Sequence, residues 1–396
     1  MTQLVSSTDQ RVRRIQQRMQ DADLDILVCL KQQNSFYITN FNPILYSHPV
    51  VAIVPANGDA ILLVHALRDD HARSAFDGDV RLFGAWGDKV TMGMSWTSAL
   101  QEIVKNVGGL SGRIGMDLDF VPSGVLEELT ALFHGAKIVD ASHVMASARA
   151  VKDETEIARL RIACAQTDEA MKAAAAVLSE RGSERDVTVA AMHAMQKVWA
   201  GATHDYEIAD FGNTEGAVHS GLGAYCLVGD RIANMADNPT MRRPQEGDLS
   251  MVFIFGLCEG MHSEQERCFA IGNISDEARR AYDTFLEARE LAFEVIKPGV
   301  AFSDIYYAAS AAYATRGYDD LLPGRIGHSL GLGAHEEPSI SKHENMLLEP
   351  GMVMTIEPSI RVPALSRSGG QHSDTIVVTD DGFEFLTTHD RGFLQV

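Results

Sequence analysis

The feature that most constrains the fold of this chain is a pair of helices at the start of its second half. Residues 154–181 carry apolar or small side chains every three or four positions, which predicts one long amphipathic helix. Gly182 predicts the end of that helix. Ser183, with Asp186 three residues later, resembles a capping box and predicts a second helix that runs to about residue 199.

The same arrangement occurs again about 120 residues later in the chain. Residues 276–296 predict a helix that ends at Lys297-Pro298-Gly299, and Ser303 with Asp304 predicts the start of another helix that runs to about residue 316. Strand-like segments follow each helix pair. This repetition indicates internal pseudo-symmetry in the second half, although such helix pairs also occur in α/β proteins that contain no duplication.

The first 145 or so residues alternate helical and strand patterns and predict an α/β domain with a mixed sheet. Thr8 can cap a helix whose apolar face carries Val12, Ile15 and Met19. Short apolar runs predict six strands, at 24–30, 49–54, 60–64, 80–83, 113–117 and 136–140. We therefore expect two domains, 1–148 and 149–396, without a flexible linker between them.

The charge and cysteine pattern exclude several classes of protein. The 34 Lys and Arg residues against 54 Asp and Glu give a net charge of −20, which repels nucleic-acid phosphates and anionic membrane surfaces. Five scattered cysteines without a C-x-x-C pair are typical of reduced thiols. The N-terminus lacks the apolar region of a secretory signal, and the apolar runs are too short to cross a membrane. We expect a cytoplasmic protein that acts on a small molecule.

Four stretches of the second half carry side chains suited to catalysis. They are NPTMRRPQEGDLSMVF (238–253), GMHSEQERC (260–268), GHSLGLGAHEEP (327–338) and LEPGMVMTIEP (348–358). In order and spacing they resemble the creatinase, prolidase and methionine aminopeptidase family, the pita-bread hydrolases. NSFYITNF (34–41) resembles an element of the N-terminal domain of prolidases and creatinases. The resemblance implies a creatinase-like α/β domain over 1–148, a pita-bread catalytic domain over 149–396, and a homodimer.

The resemblance also implies where metal ligands would lie. The metallopeptidases of this family hold two divalent ions with two Asp, one His and two Glu, because bridging carboxylates offset the repulsion between the ions. Those positions correspond here to Phe253, Glu264, His328, Glu357 and Ser373. Phe253 has no donor atom and Ser373 is a poor neutral ligand, which excludes a dinuclear peptidase. We expect no metal, and the alternative is one divalent ion on Glu264, His328 and Glu357.

The site layout most resembles the metal-free branch of the family, which creatinase typifies. In that branch a Glu-Arg-Thr triplet supplies a carboxylate that, with the Glu of the TIEP-type motif, binds a guanidinium-type group. Glu266, Arg267 and Cys268 occupy the triplet here. A site rich in carboxylates and lacking a metal needs another cation, which a cationic substrate would supply. Alternatively, Glu266 forms a structural ion pair with Arg267 or Arg242.

Several positions differ from creatinase. The histidine that acts there as acid and base corresponds to Asp237, or with a one-residue gap to Ala236. The two arginines that bind the substrate carboxylate correspond to His48 and Ser339, and the neighbouring aromatic position is Tyr46. These changes argue against creatine as the substrate.

The leading hypothesis from the sequence is a metal-independent hydrolase of a C–N bond in a small cationic, amidine-type or guanidino-type compound, including a cyclic solute. Glu266 and Glu357 would bind the substrate cation, while His328 and His335 would transfer protons. This hypothesis requires no cofactor.

The remaining roles fall on five residues. Asp237 or Glu264 would activate the attacking water. The predicted substrate contacts are Glu264, Phe253, Tyr46 and His48. Alternatives are a lyase or hydrolase with a single metal, an Xaa-Pro peptidase-like enzyme, and a catalytically inactive binding protein that reuses the cleft.

Overall fold

The computed structural model describes residues 8–214 and 220–396. These residues divide into two compact units. The first contains the chain up to Arg149 together with the segment that begins at Asp210, and the second contains Ala150–Ala209 and Ser220–Val396. The domain limits 1–148 and 149–396 stay a prediction. Among the described residues, no helix is both long enough and apolar enough to cross a membrane.

The first unit contains a six-stranded mixed sheet with helices between its strands, as the sequence predicts. Its strands are β1 (Ile26–Cys29), β2 (Val51–Pro55), β3 (Ile61–His65), β4 (Asp79–Phe83), β5 (Arg113–Met116) and β6 (Lys137–Asp140). Its helices are α1 (Thr8–Asp21), α2 (Gln32–Thr39), α3 (Asp69–Ala75), α4 (Trp96–Asn106), α5 (Ser123–Leu132) and α6 (Ser142–Ala150). The strand order is β4-β3-β2-β1-β5-β6.

The core of the first unit lies against its central strands. β1 pairs with β2 in the antiparallel sense and with β5 in the parallel sense. All residues of β1 and β2 are buried, which explains their continuous apolar runs, because side chains on both faces of these strands are covered. α1 buries Val12, Ile15 and Met19, as predicted.

The second unit is built on an eight-stranded sheet in which every pair is antiparallel. Its helices are α7 (Glu154–Ser179), α8 (Glu184–Ala200), α9 (Asp276–Val295) and α10 (Phe302–Arg316). Its strands are β7 (Gly223–Val228), β8 (Leu249–Cys258), β9 (Met261–Ala270), β10 (Arg325–Ser329), β11 (Glu336–Ser341), β12 (Val353–Ile356), β15 (Ser373–Val378) and β16 (Phe383–Phe385), and a separate pair is formed by β13 (Ile360–Arg361) and β14 (Gly369–Gly370). The strand order is β11-β10-β12-β15-β9-β8-β7, with β16 paired to β15.

The helix starts in this unit follow local capping signals. The Ser183 hydroxyl accepts a hydrogen bond from the backbone N–H of Asp186, and the Asp186 carboxylate accepts one from the backbone N–H of Ser183, so the predicted capping box is confirmed. The helix predicted to begin at Ser303 and Asp304 is present as α10, which begins one residue earlier, at Phe302. The carboxylate of Asp304 accepts a hydrogen bond from the backbone N–H of Ala301, at 3.3 Å.

The two helix pairs belong to different hydrophobic cores. Buried side chains of α7 and α8 share one core with Val252 and Ile254 of β8. Those of α9 and α10 share another core with Met251 and Phe253 of the same strand. Successive side chains of a strand point to opposite faces, so β8 contributes to both cores. The two-domain fold, with a helix pair followed by strands twice in the second unit, agrees with the predicted architecture.

Candidate functional site

Four neighbouring strands of the second unit carry the predicted site residues. Glu264 and Glu266 lie two positions apart on β9, so their side chains lie on one face of the sheet. His328 lies on β10, Glu357 directly follows β12, and Ser373 begins β15. Because β10, β12, β15 and β9 are consecutive in the sheet, residues distant in the chain become neighbours. The Ser373 hydroxyl, for example, donates a 2.7 Å hydrogen bond to Oε1 of Glu264.

His328 is fully buried, and its two ring nitrogens face different groups. Nδ1 lies 3.0 Å from the carbonyl oxygen of Ser329, which can only accept, so Nδ1 carries the hydrogen. In the neutral ring Nε2 then has a free lone pair. This atom lies 3.5 Å from Oε2 of Glu264 and 3.4 Å from Oε1 of Glu357 and, among the described residues, forms no hydrogen bond. A lone pair facing two carboxylates is repelled unless a proton or a metal ion lies between them.

Three carboxylates converge beside this histidine. Glu264, Glu266 and Glu357 each place one carboxylate oxygen within 4.8 Å of the other two. Burial would raise the pKa of Glu264, but its contacts with His328, Glu357 and Ser373 outweigh this effect and lower the pKa to about 2. Burial and the charge of Glu264 raise the pKa of both Glu266 and Glu357 well above the ordinary value. The cluster therefore opposes the accumulation of three negative charges unless a cation is bound.

The carboxylate of Glu266 does not form the structural ion pair considered from the sequence. Gln371 donates a hydrogen bond from Nε2 to Oε2 of Glu266, and Arg361 donates a 3.2 Å hydrogen bond to Oε1 of Gln371. Arg267 contacts only the backbone oxygen of Glu266, at 2.8 Å. Arg242 is paired with Asp230 instead.

His335 lies next to His328, with ring centroids 4.3 Å apart. One of its ring nitrogens lies within 4.8 Å of potential ligand atoms of Glu264 and His328. Partial burial, and next the neighbouring His328, lower the pKa of His335. His335 is exposed, unlike His328, so it is the histidine of the pair that can meet a substrate from solvent.

Phe253 is buried beside the carboxylates and offers no ligand atom. Its ring stacks on that of Tyr225, with centroids 4.4 Å apart and planes inclined by 13°. Burial, followed by the charge of Glu266, raises the pKa of Tyr225, so this phenol stays neutral beside the cluster. The position that would supply an aspartate ligand in the metallopeptidases is therefore part of an aromatic surface.

Three further predicted site residues have contacts outside this cluster. Asp237 is exposed and accepts hydrogen bonds from the side chain of Asn234 and the backbone N–H of Asn238, both at 2.7 Å. In the first unit, His48 stacks on His65 with ring centroids 3.9 Å apart, and the backbone N–H of Tyr46 donates to the carbonyl of Asn213. The roles assigned to these three residues stay predictions.

The sequence analysis missed three side chains that surround Glu266. Tyr225 lies on β7, Arg361 ends β13, and Gln371 directly follows β14. The strands that carry Arg361 and Gln371 are only two residues long, so they give no periodic signal in the sequence. The position of Gln371 two residues before Ser373 was the one local indication that it lies near the site.

The donor set fits one divalent ion. Two ligand atoms that each lie about 2.1 Å from a tetrahedral ion are separated by about 3.4 Å. The distances from Nε2 of His328 to the oxygens of Glu264 and Glu357, 3.5 and 3.4 Å, match that separation. Ligating histidines commonly donate their other N–H to a carbonyl, as Nδ1 of His328 does to Ser329.

Fold and site together define a two-domain chain whose pita-bread unit holds a histidine–carboxylate centre. The model of metallopeptidase family M24 matches residues 158–380, and that of the creatinase/prolidase N-terminal domain matches residues 11–151. The chain therefore belongs to the M24 metallopeptidase family, whose members are hydrolases.

Individual relatives support this assignment. The chain is 30% identical to the putative dipeptidase YkvY of Bacillus subtilis over 71% of this chain and 72% of that protein. It is 25% identical to the Xaa-Pro dipeptidase of Pyrococcus horikoshii over 97% of this chain and 98% of that protein. The crystal structure of a prolidase from Thermococcus sibiricus superposes with a TM-score of 0.83 at 23% identity, covering 99% of this chain and 100% of that chain, which shows the shared fold.

These findings overturn the leading hypothesis from the sequence. The interpretation as a metal-independent, creatinase-like hydrolase of non-peptide C–N bonds is wrong, because the relatives include a putative dipeptidase and an Xaa-Pro dipeptidase and the family is one of metallopeptidases. The expectation that no metal is used is wrong as well, since Glu264, His328 and the neighbouring carboxylates form a cluster of potential metal ligands. The Xaa-Pro peptidase-like alternative agrees better with the relatives.

Proposed function

We propose that this protein is a metal-dependent hydrolase that cleaves the peptide bond of small substrates of the Xaa-Pro dipeptide class. The observation that carries the metal dependence is the buried Nε2 of His328, which lies 3.5 Å from Glu264 and 3.4 Å from Glu357 and forms no hydrogen bond in the described part of the chain. The substrate class rests on the names of the relatives, a putative dipeptidase and an Xaa-Pro dipeptidase.

Glu264, His328 and Glu357 would hold one divalent ion in this proposal. When bound, such an ion supplies Lewis-acid polarisation of a carbonyl oxygen and activation of water. Ser373 donates a hydrogen bond to Oε1 of Glu264, which orients that carboxylate and leaves Oε2 directed towards His328.

The side chains around the ligands would handle protons and position the substrate. His335, which is neutral and exposed, would hold the substrate carbonyl or return a proton to the leaving nitrogen. Phe253 and Tyr225 would form an apolar side of the site that excludes water.

The experiment that tests the proposal combines metal content with turnover. Protein treated with EDTA and then loaded with Mn²⁺, Co²⁺ or Zn²⁺ is assayed for release of proline from a panel of Xaa-Pro dipeptides. We expect activity only in loaded protein, and we expect His328→Ala to abolish ion binding and turnover. His343→Ala is the matched control, because His343 lies exposed in a turn. A loaded, folded enzyme that hydrolyses none of the dipeptides would reject the substrate class, and absence of ion binding would reject the metal dependence.

We also propose a homodimer, as the family resemblance implies. The mass in solution, measured by light scattering during size-exclusion chromatography, tests this directly. A mass near 43.2 kDa would contradict it, because that is the mass of one chain.

A further inference from the structure

We propose that Glu266 is a further ligand of the divalent ion, so that one carboxylate on β9 takes the place of the two ligands that β8 and β15 lack. This inference rests on the proposed function and concerns the same centre. It predicts a single ion held by three carboxylates and one histidine.

The strand register places Glu266 between the two positions that have lost a carboxylate. Glu266 is the direct partner of Phe253 on one neighbouring strand and of Ser373 on the other. The three residues thus form one row across β8, β9 and β15. Directly paired residues have Cβ atoms about 4.5–5.5 Å apart, which a glutamate side chain spans easily. The only carboxylate of this row is therefore at its centre.

A cation close to Glu266 would offset the charge of the cluster. Within residues 8–214 and 220–396, none of Glu264, Glu266 and Glu357 forms a direct ion pair with Lys or Arg. His328 lies near Glu264 and Glu357, and Arg361 and Arg267 act on Glu266 without a direct contact to its carboxylate. The hydrogen bonds to these carboxylates from Gln371 and Ser373 come from neutral donors. Three buried carboxylates with neutral donors are costly, and a divalent ion in contact with all three removes most of that cost.

The buried histidine that supports the proposed function also points to an ion at this cluster. His328 is fully buried, its Nε2 forms no hydrogen bond among the described residues, and that atom is aimed at Glu264 and Glu357. One oxygen of Glu266 lies within 4.8 Å of an oxygen from each of these glutamates. An ion in contact with Glu264 and Glu357 is therefore also within reach of Glu266.

The neighbours of Glu266 orient its carboxylate for this role. Gln371 binds Oε2 and is itself held by Arg361, whose guanidinium also donates to the carbonyl oxygens of Ile360 and Gly370. This arrangement fixes one oxygen, and Oε1 accepts no hydrogen bond from the described residues, so it can contact an ion. Hydrogen bonds of this kind typically hold ligating carboxylates in place.

The test is ion affinity, measured without turnover. Titration calorimetry with Mn²⁺ and visible absorption with Co²⁺ are compared for wild type, Glu266→Gln, Glu266→Asp and the control Glu180→Gln, whose side chain is exposed at the end of α7. Loss of a ligand is expected to weaken binding of Mn²⁺ by at least about tenfold and to change the Co²⁺ spectrum, because the spectrum reports coordination number. Glu180→Gln is expected to bind as wild type does.

The outcomes separate this inference from the proposed function. If wild type binds one ion, His328→Ala does not, and Glu266→Gln binds within tenfold of wild type with an unchanged spectrum, the inference fails and the proposed function stands. If wild type binds no ion, both fail. If Glu266→Gln does not fold, Glu266→Asp keeps the charge but shortens the side chain. We expect Glu266→Asp to weaken Mn²⁺ binding and to alter the Co²⁺ spectrum. Wild-type affinity together with a wild-type spectrum in this variant would overturn the inference.

Discussion

The ring of Phe253 lies almost parallel to the ring of Tyr225, with 4.4 Å between the centroids. Phe253 is at the same time the direct strand partner of Glu266, so this aromatic pair borders the carboxylate cluster. Aromatic carbon cannot offset the repulsion between two cations, which in dinuclear sites depends on bridging carboxylates. We therefore expect one ion per chain.

Replacing the aromatic border with ligands tests this expectation. Phe253→Asp combined with Ser373→Glu restores the carboxylates of a dinuclear site, and we expect two ions per chain by mass spectrometry of the loaded protein. Loss of the buried ring is expected to cost about 3–5 kcal/mol of stability, so folding is checked by circular dichroism. Phe253→Leu, which stays apolar, should still bind one ion. Two ions in wild type would contradict the prediction.

A substitution at His335 should affect turnover without affecting ion binding. We expect His335→Ala to lower kcat by about 10²–10⁴-fold, as for loss of a general acid or base, while the affinity for Mn²⁺ stays within threefold of wild type. Steady-state kinetics and calorimetry measure the two quantities, and His343→Ala serves as the control. A loss of ion affinity equal to that of His328→Ala would show instead that His335 is a ligand.

A buried charged group beneath the site controls stability. Asp374 accepts hydrogen bonds from Arg267 and Arg289, and all three side chains are fully buried. Burial would raise the pKa of Asp374, but the two guanidinium groups outweigh this and lower the pKa below its usual value of 3.8. Asp374→Asn is expected to lower the free energy of unfolding by about 3–5 kcal/mol at pH 7, because it leaves the arginines without their anion.

The sign of the pH dependence follows from that lowered pKa. The folded chain keeps Asp374 ionised at pH values where the unfolded chain binds a proton, so this stabilisation is present above about pH 4 and is lost as the pH falls through the folded pKa. The difference in the free energy of unfolding between wild type and Asp374→Asn, measured by urea unfolding, should therefore shrink below about pH 4. A difference in the free energy of unfolding that stays constant from pH 7 to pH 3 would contradict the lowered pKa of Asp374.

Glu184 is expected to be a second determinant of stability. Its fully buried carboxylate accepts hydrogen bonds from the backbone N–H of Val228, from Nε of Arg231, and from both the backbone N–H and the hydroxyl of Thr240. Glu184→Ala leaves these donors without an acceptor, and we expect a loss of about 3 kcal/mol or more in thermal unfolding. Glu180→Ala, at an exposed position, should change stability by less than about 0.5 kcal/mol. Equal losses of stability in Glu184→Ala and Glu180→Ala would refute the prediction.

Local signals made much of the second unit predictable. The long helix predicted over 154–181 is present as Glu154–Ser179, and the capping box at Ser183 is formed as predicted. These features depend on residues within one or two helical turns. The helix predicted from Ser303 is present as α10, which begins one residue earlier, where Asp304 accepts a hydrogen bond from the backbone N–H of Ala301. The pairing of β15 between β12 and β9 could not be predicted, because it joins segments that lie far apart in the chain.

For the site, the motifs pointed to residues that lie together in the structure but led to the wrong chemistry. Glu264, Glu266, His328 and Glu357 do converge, as their motif positions imply. The loss of ligands at two positions was interpreted as the loss of the metal. The opposing evidence is the orientation of His328, which depends on a hydrogen bond to the carbonyl of Ser329 and is visible only in three dimensions.

The strand order gives the proposed ion a mechanical consequence. Glu264 comes from the strands that follow the first helix pair, whereas His328 and Glu357 come from those that follow the second, and β15 separates the two groups in the sheet. An ion held by all three side chains is a reversible crosslink between the two repeats. Because β15 lies between these two groups of strands in the sheet, we expect a growing chain to bring the three side chains together only once residues 373–378 can pair. Capture of the ion would therefore mark the end of assembly, and its removal would first loosen the junction of the two repeats.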